Sequence, residues 1–179
     1  MSNVFIKRQV RAFNVDALNR TVKCETDIDN GSVFALNAKS EEDGESMVWV
    51  ATAPTAATDK GLWFAASPEV VITKDAAGNE FKGLSADPRA FVNLAGKATD
   101  AIKVLEGDLV EMTGEGITGI ETTANIYLVP TASSFVLTAT STAGTGLCLK
   151  RVGTNTLKIG TGSIVKEPVV TYVYECVSN

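Results

Sequence analysis

Val169-Val170-Thr171-Tyr172-Val173-Tyr174-Glu175-Cys176-Val177 is the stretch that decides the fold class. β-Branched and aromatic side chains fill most of it, and these fit a pleated, half-buried surface better than a helix. Both alternating faces carry apolar residues, so neither face suits water. Left open, such a strand would template pairing with other chains. It must therefore lie at the centre of a sandwich or be covered by another subunit.

Working outward from it, short apolar runs bounded by turn residues recur along the whole chain, the signature of strands. Residues 117–179 predict five of them, at 125–129, 135–140, 146–152, 156–160 and 169–177. Gly153-Thr154-Asn155 and Gly160-Thr161-Gly162 have the composition of compact hairpin connections. Upstream, strands are predicted at 4–10, 21–28, 32–37, 46–53, 61–66, 69–74, 101–105 and 109–113. Asn30-Gly31, Ala77-Gly78-Asn79 and Glu106-Gly107-Asp108 supply turns that tolerate positive φ. One short helix is predicted, with Asp87 as N-cap, Pro88 at its first position and Gly96 as the left-handed residue that ends it. The expected fold is all-β: two small sandwich- or barrel-like units, with that helix in the first.

Charge divides the chain. Residues 1–116 hold 12 Lys/Arg against 18 Asp/Glu, net −6, whereas residues 117–179 hold 4 against 3, net +1. The second segment also carries 17 Ser/Thr. The change falls on Thr113-Gly114-Glu115-Gly116-Ile117-Thr118-Gly119, which reads as a connection between an N-terminal β domain, 1–116, and a Thr-rich C-terminal one, 117–179.

At 179 residues the chain can bury roughly two thirds of its unfolded surface, so its core needs no staples. Net charge −5 argues against binding phosphate backbones, where basic stripes dominate affinity, and no nucleic-acid partner is expected. No apolar run is long enough for a membrane span. Lys7, Arg8 and Arg11 interrupt the apolar residues of the N-terminus, unlike a secretory signal, so synthesis in a cytoplasm is expected.

Histidine is absent, which removes Ser-His-Asp and Cys-His catalysis, histidine metal sites and the commonest general base. Cys24, Cys148 and Cys176 are far apart, form no C-x-x-C pair and read as small buried side chains. Residues 114–119 match the letters G-x-G-x-x-G, but the sequence that follows is a poor helix and position 139 is alanine where an acidic residue is needed. Asp27-Ile28-Asp29-Asn30-Gly31 resembles the start of a calcium loop but places its glycine fifth rather than sixth. Glu41-Glu42-Asp43-Gly44-Glu45 reads as a solvated loop tip. Trp49, Trp63 and Phe64 could stack on a sugar, yet all three sit in apolar strands where core packing is the default. The chain is expected to be no enzyme, with no catalytic residue, no metal and no cofactor.

Four segments carry a resemblance: residues 27–31; Gly61-Leu62-Trp63-Phe64-Ala65-Ala66-Ser67-Pro68-Glu69-Val70; Asp87-Pro88-Arg89-Ala90-Phe91-Val92-Asn93-Leu94-Ala95-Gly96-Lys97; and Leu105-Glu106-Gly107-Asp108-Leu109-Val110-Glu111-Met112-Thr113. In this order they resemble small head auxiliary (capsid decoration) proteins of tailed bacteriophages. The resemblance spans roughly residues 20–113 and has no counterpart for 117–179. It implies a structural protein of the virion, made in the host cytoplasm and resident on the capsid surface. Its implied partners are the major capsid protein and further copies of itself, a trimer favoured, and it implies no catalytic residue.

Such a protein can attach by adding a strand to a neighbouring sheet, gaining affinity from main-chain hydrogen bonds alone. Asn3-Val4-Phe5-Ile6-Lys7-Arg8-Gln9-Val10 is half apolar and locally basic, and reads as a gripping arm. Val4, Phe5, Ile6, Lys7 and Arg8 are therefore the candidate capsid or subunit interface, and the arm is expected to be dispensable for the fold. The alternative is a host- or glycan-binding virion module, a head fibre or adhesin, acting through the Thr-rich domain. Against it, residues 117–179 hold only Tyr127, Phe135, Tyr172 and Tyr174 as aromatics, mostly on core-like strands.

Overall fold

The computed structural model describes residues 1–41, 47–74, 80–84, 88–120, 124–159 and 167–179. It is 48% strand and 8% helical, with no long helix, as an all-β fold requires. In chain order the strands are β1 (Phe5–Gln9), β2 (Asn19–Lys23), β3 (Val33–Lys39), β4 (Val48–Thr52), β5 (Trp63–Ala65), β6 (Val70–Lys74) and β7 (Glu80–Leu84). They continue with β8 (Thr99–Ile102), β9 (Leu109–Thr113), β10 (Ile117–Thr118), β11 (Tyr127–Pro130), β12 (Leu137–Thr140), β13 (Cys148–Ile159) and β14 (Glu167–Ser178).

Two layers hold them. β2-β4-β3-β5-β8 close into a barrel, with β2 and β4 its parallel pair. β1-β9-β14-β13-β11-β12-β10 form a seven-stranded sheet, and β6 pairs with β7 as a separate ribbon. The strand period of two explains how the layers share residues. On β5, Trp63 and Ala65 turn into the barrel to meet Val22, Phe34 and Ala51. Phe64 between them turns outward, into a second core with Phe5, Met112, Leu149 and Tyr174 of the sheet.

The C-terminal stretch becomes β14, paired with β9 on one side and β13 on the other. Both its edges are thereby paired within the chain, though Val170 stays 51% exposed. Tyr174 and Cys176 enter the core between barrel and sheet, while Val173, Glu175 and Val177 stay half-buried on the opposite face.

The expected division at residues 116 and 117 is corrected by this topology. β1 and β9, from the supposed first domain, lie in one sheet with β10–β14 of the second. The composition change marks no break, because β9 pairs with β14 and its Val110 and Met112 share one core with Leu128, Leu149 and Tyr174. Nor is the glycine-rich stretch a loose linker. Gly114–Gly116 form one 3-10 turn leading into β10, with Ile117 buried. A Cβ at Gly116 would lie 2.7 Å from the Asn3 side chain, so only glycine permits that approach.

Two local expectations also change. Gly153-Thr154-Asn155 make no hairpin: β13 runs through them, absorbing a bulge between Arg151 and Gly153, and keeps pairing as far as Asn155 with Thr171 and beyond. A bulge leaves the neighbouring ladder bonds intact, whereas a turn there would forfeit the pairing of residues 154–159 with β14. The predicted helix shrinks to a single 3-10 turn, Pro88–Ala90. Asn93 instead exchanges two main-chain hydrogen bonds with Ile28, and its side chain donates to the Ile28 carbonyl and to Asn30 Oδ1. Those tertiary bonds outcompete a helix that lacks length. Gly96 is left-handed at φ 68°, but it closes a turn from Leu94 to Lys97 rather than a helix end. Asp87, Ala77-Gly78-Asn79 and Gly160-Thr161-Gly162 lie outside the described residues. β7 has no counterpart among the predicted strands, its run Glu80-Phe81-Lys82-Gly83-Leu84 being broken by glycine.

The N-terminal arm is likewise no arm. β1 pairs with β9, Phe5 opposite Met112, and Val4 and Phe5 are 3% and 6% exposed. The Phe5 ring stacks on Phe64 of the barrel with centroids 5.7 Å apart. Removing residues 1–10 would open the second core, so the segment is not dispensable. Phe5→Ala should cost about 3–5 kcal/mol, read as a lower urea midpoint, and an unchanged midpoint would show that β1 is peripheral.

Candidate functional site

Of the five candidate interface residues, Val4 and Phe5 are buried, Phe5 within the chain's own core. Arg8 is exposed on one side but donates through Nε to Glu111. Ile6 and Lys7 are half-buried, and they border an open groove. Val4, Phe5, Phe13, Pro68, Glu69, Pro88 and Leu157 are among its other walls, and its volume is about 490 Å³. Leu157 comes from the far half of the β13–β14 hairpin, which continues past the last β9 partner at Thr171 as a two-stranded ribbon.

Two more depressions adjoin this groove. One, of about 720 Å³, is lined by Lys7, Arg20, Lys39, Met47 and Trp49, among others, and shares Lys7, Ala66 and Pro68 with it. The other, of about 560 Å³, is lined by Val70, Phe91, Val92 and Leu94 and shares Ser67 and Pro68. Pro68 thus sits where all three meet. Nine large apolar side chains are exposed among the described residues, and Phe13, Met47, Val70 and Leu94 of them line these depressions. Singly exposed apolar residues are ordinary, but several converging on one concave face mark an interaction surface.

Ile6 and Lys7 are the half-buried residues of this face that the sequence singles out as interface candidates, and it singles out none of the other exposed apolar ones. Phe13, Met47 and Leu94 are distant in sequence and carry no motif. Only closure of the barrel and the laying of β1 across it bring them together.

The residues weighed for chemistry have structural occupations. Trp63 and Phe64 are buried in the two cores, and Trp49 is half-buried beneath Lys39. Asp27 accepts from the Ala95 amide and Asp29 from the Asn3 amide, and Gly31 is left-handed at φ 84°, so this stretch is a turn that ties loops together. Glu41 is exposed, and residues 42–45 lie outside the described residues. All three cysteines are buried and free, and burial pushes the Cys176 thiol up to about 12. Such thiols behave as apolar side chains rather than nucleophiles.

Glu111 is the one fully buried carboxylate among the described residues. Burial alone would raise its pKa, but hydrogen bonds from Arg8, Thr171 and Asn155, with the Arg8 charge, outweigh it and hold the group below the ordinary range. It lines none of the three depressions, and its hydrogen bonds fasten four strands. Because its folded pKa is depressed, its stabilisation is complete above the unfolded value of about 4.3 and is lost as pH falls through the folded value. The urea midpoint should accordingly hold steady from neutral pH to about pH 5 and drop below about pH 4. In Glu111→Ala, which leaves the buried Thr171 hydroxyl unmet at a cost of about 1–3 kcal/mol, that part of the acid dependence should vanish. An identical acid limb in the variant would contradict this role.

Comparison of the chain with protein-family models, with curated proteins and with solved structures found no match, so its function is argued from residues and geometry.

Proposed function

We propose that the chain is a capsid decoration protein of a tailed bacteriophage, held to the major capsid protein by the face around Pro68. One observation carries the reading: Phe13, Met47, Val70 and Leu94 expose apolar surface on adjoining depressions of a single face. A shell-binding protein needs such anchors on a rigid scaffold, because ordering loose segments on binding would cost affinity. Here the anchors sit on a barrel and a sheet fused through a common core.

The resemblance of residues 27–31, 61–70, 87–97 and 105–113 to head auxiliary proteins supports the same reading. Its segments supply parts of this face, among them Pro68, Val70, Phe91 and Leu94. Self-association into a trimer belongs to the proposal, with the free edge of β1 and the outer edge of β13 beyond Lys150 as places for a strand from another copy. The glycan-binding alternative is weaker, because Trp63 and Phe64 are inside the protein and Lys39 lies 5.6 Å from the Trp49 ring.

Phe13 is 60% exposed, so Phe13→Asp should leave the circular dichroism spectrum and urea midpoint unchanged. Copurification with virions should fall at least about tenfold, the loss of one buried aromatic anchor. Full occupancy of Phe13→Asp and of Phe13→Asp/Leu94→Asp would exclude this face as the contact. If the wild-type chain never travels with particles, the decoration reading fails.

A further inference from the structure

The largest of the three depressions has a charge pattern unlike the rest of the chain. Three cations line it, Lys7 from β1, Arg20 from β2 and Lys39 from β3, against the two carboxylates Asp16 and Asp100. The chain as a whole is −5. Among the described residues none of the three cations is ion-paired. Each lies over an aromatic ring instead: Lys7 5.6 Å from Phe13, Arg20 5.5 Å from Trp63, and Lys39 5.6 Å from Trp49. Their hydrogen bonds go to neutral carbonyls, Lys7 to Ala66 and Arg20 to Asn19.

An aromatic face positions a cation without cancelling its charge, which a carboxylate partner would do. The three side chains are thus held in place and still carry full positive charge, on an acidic protein. They come from three strands around one depression, so an extended chain with repeated negative charges can meet all three. The floor between them continues through Ala66 and Pro68 into the groove of Ile6, Phe13 and Leu157, which is apolar apart from Lys7, Ser67 and the single carboxylate Glu69. An anionic polysaccharide has no large apolar groups to place there, but a polypeptide does.

We propose that this groove binds an extended segment of the shell protein in which acidic residues alternate with apolar ones. The acidic side chains meet Lys7, Arg20 and Lys39, and the apolar ones enter the groove beside Phe13. This deepens, and rests on, the decoration reading, since it names the chemistry of the partner at the same face. The sign of the groove also sets the range of attachment: three exposed or half-buried cations steer an acidic partner at low salt and lose that pull as screening grows.

The groove's chemistry can be tested without any virion. The full chain is titrated with a short synthetic peptide repeating Glu-Glu-Leu, the same peptide with Gln for Glu, and an oligogalacturonate of similar charge. The acidic peptide should bind, and the Gln peptide and the saccharide should not. Its affinity should fall at least about tenfold in Arg20→Glu/Lys39→Glu, and again between about 0.1 M and about 1 M salt, where the screening length shrinks from about 10 Å to about 3 Å. Lys158→Glu, on the exposed ribbon outside the groove, should change nothing. Lys39→Glu alone, at an exposed position, serves should the double variant unfold. Failure of the acidic peptide to bind, equal binding of the Gln peptide, preference for the saccharide, or undiminished affinity in the groove variants would overturn the proposal. Loss of self-association rather than of peptide binding in those variants, seen by sedimentation, would assign the groove to a second copy and overturn it too. Copurification with virions is scored separately, so a groove that binds the peptide on a chain that never decorates particles would sink the decoration reading and not the groove chemistry.

Discussion

The stack of Phe5 on Phe64 is the contact on which the rest of the structure depends. Phe64 reaches the second core only because β5 alternates, sending Trp63 and Ala65 into the barrel and the residue between them out. Phe5 reaches it only because β1 is pinned to β9, which in turn pairs with β14. A strand from the very start of the chain, one from its middle and one from its end thus enclose one apolar volume. Large aromatics dominate the energy of such a volume, and a stacked pair adds to what burial alone supplies. Without it the barrel and the sheet would present two half-covered apolar faces to water.

On the opposite side of the same sheet, polarity does the fastening. Glu111 accepts from Arg8 of β1, Thr171 of β14 and Asn155 of β13, so one carboxylate ties four neighbouring strands. A buried charge is tolerable only when it is paired and its lone pairs are filled, and both conditions hold here. The consequence for function is direct. Arg8, which by sequence looks like a free interface cation, is committed internally, and the proposed recognition rests on Lys7, Arg20 and Lys39 instead.

How much of this was legible in the sequence depends on how local each signal is. The period-two pattern was enough to specify an all-β chain, and the doubly apolar stretch at 169–177 left a central strand or one covered by another subunit, of which the fold takes the first. Turn chemistry marked Gly31, Gly96 and Gly107, all of which adopt positive φ. What failed were inferences from composition across long separations. The change in charge and threonine content near residue 116 is real, yet strand pairing ignores it, because β9 pairs with β14 and Val110 and Met112 share their core with residues from both sides of that point. Gly153 signalled a departure from regular pairing correctly but was read as a turn rather than a bulge, two outcomes that share a residue preference and differ only in what the partner strand does. The face around Pro68 was half visible, through Ile6 and Lys7, because nothing local links Phe13 to Met47 or Leu94.

A binding face assembled from β1, the barrel and the β13–β14 ribbon exists only while the two layers are one unit, and that unity is the central claim. Differential scanning calorimetry of the full chain tests it most directly, by comparing the calorimetric with the van't Hoff enthalpy. A single transition with the two enthalpies equal is the result expected of one cooperative unit closed by Phe5 and Phe64. Two resolved transitions, with the barrel of β2, β3, β4, β5 and β8 melting apart from the sheet, would contradict it.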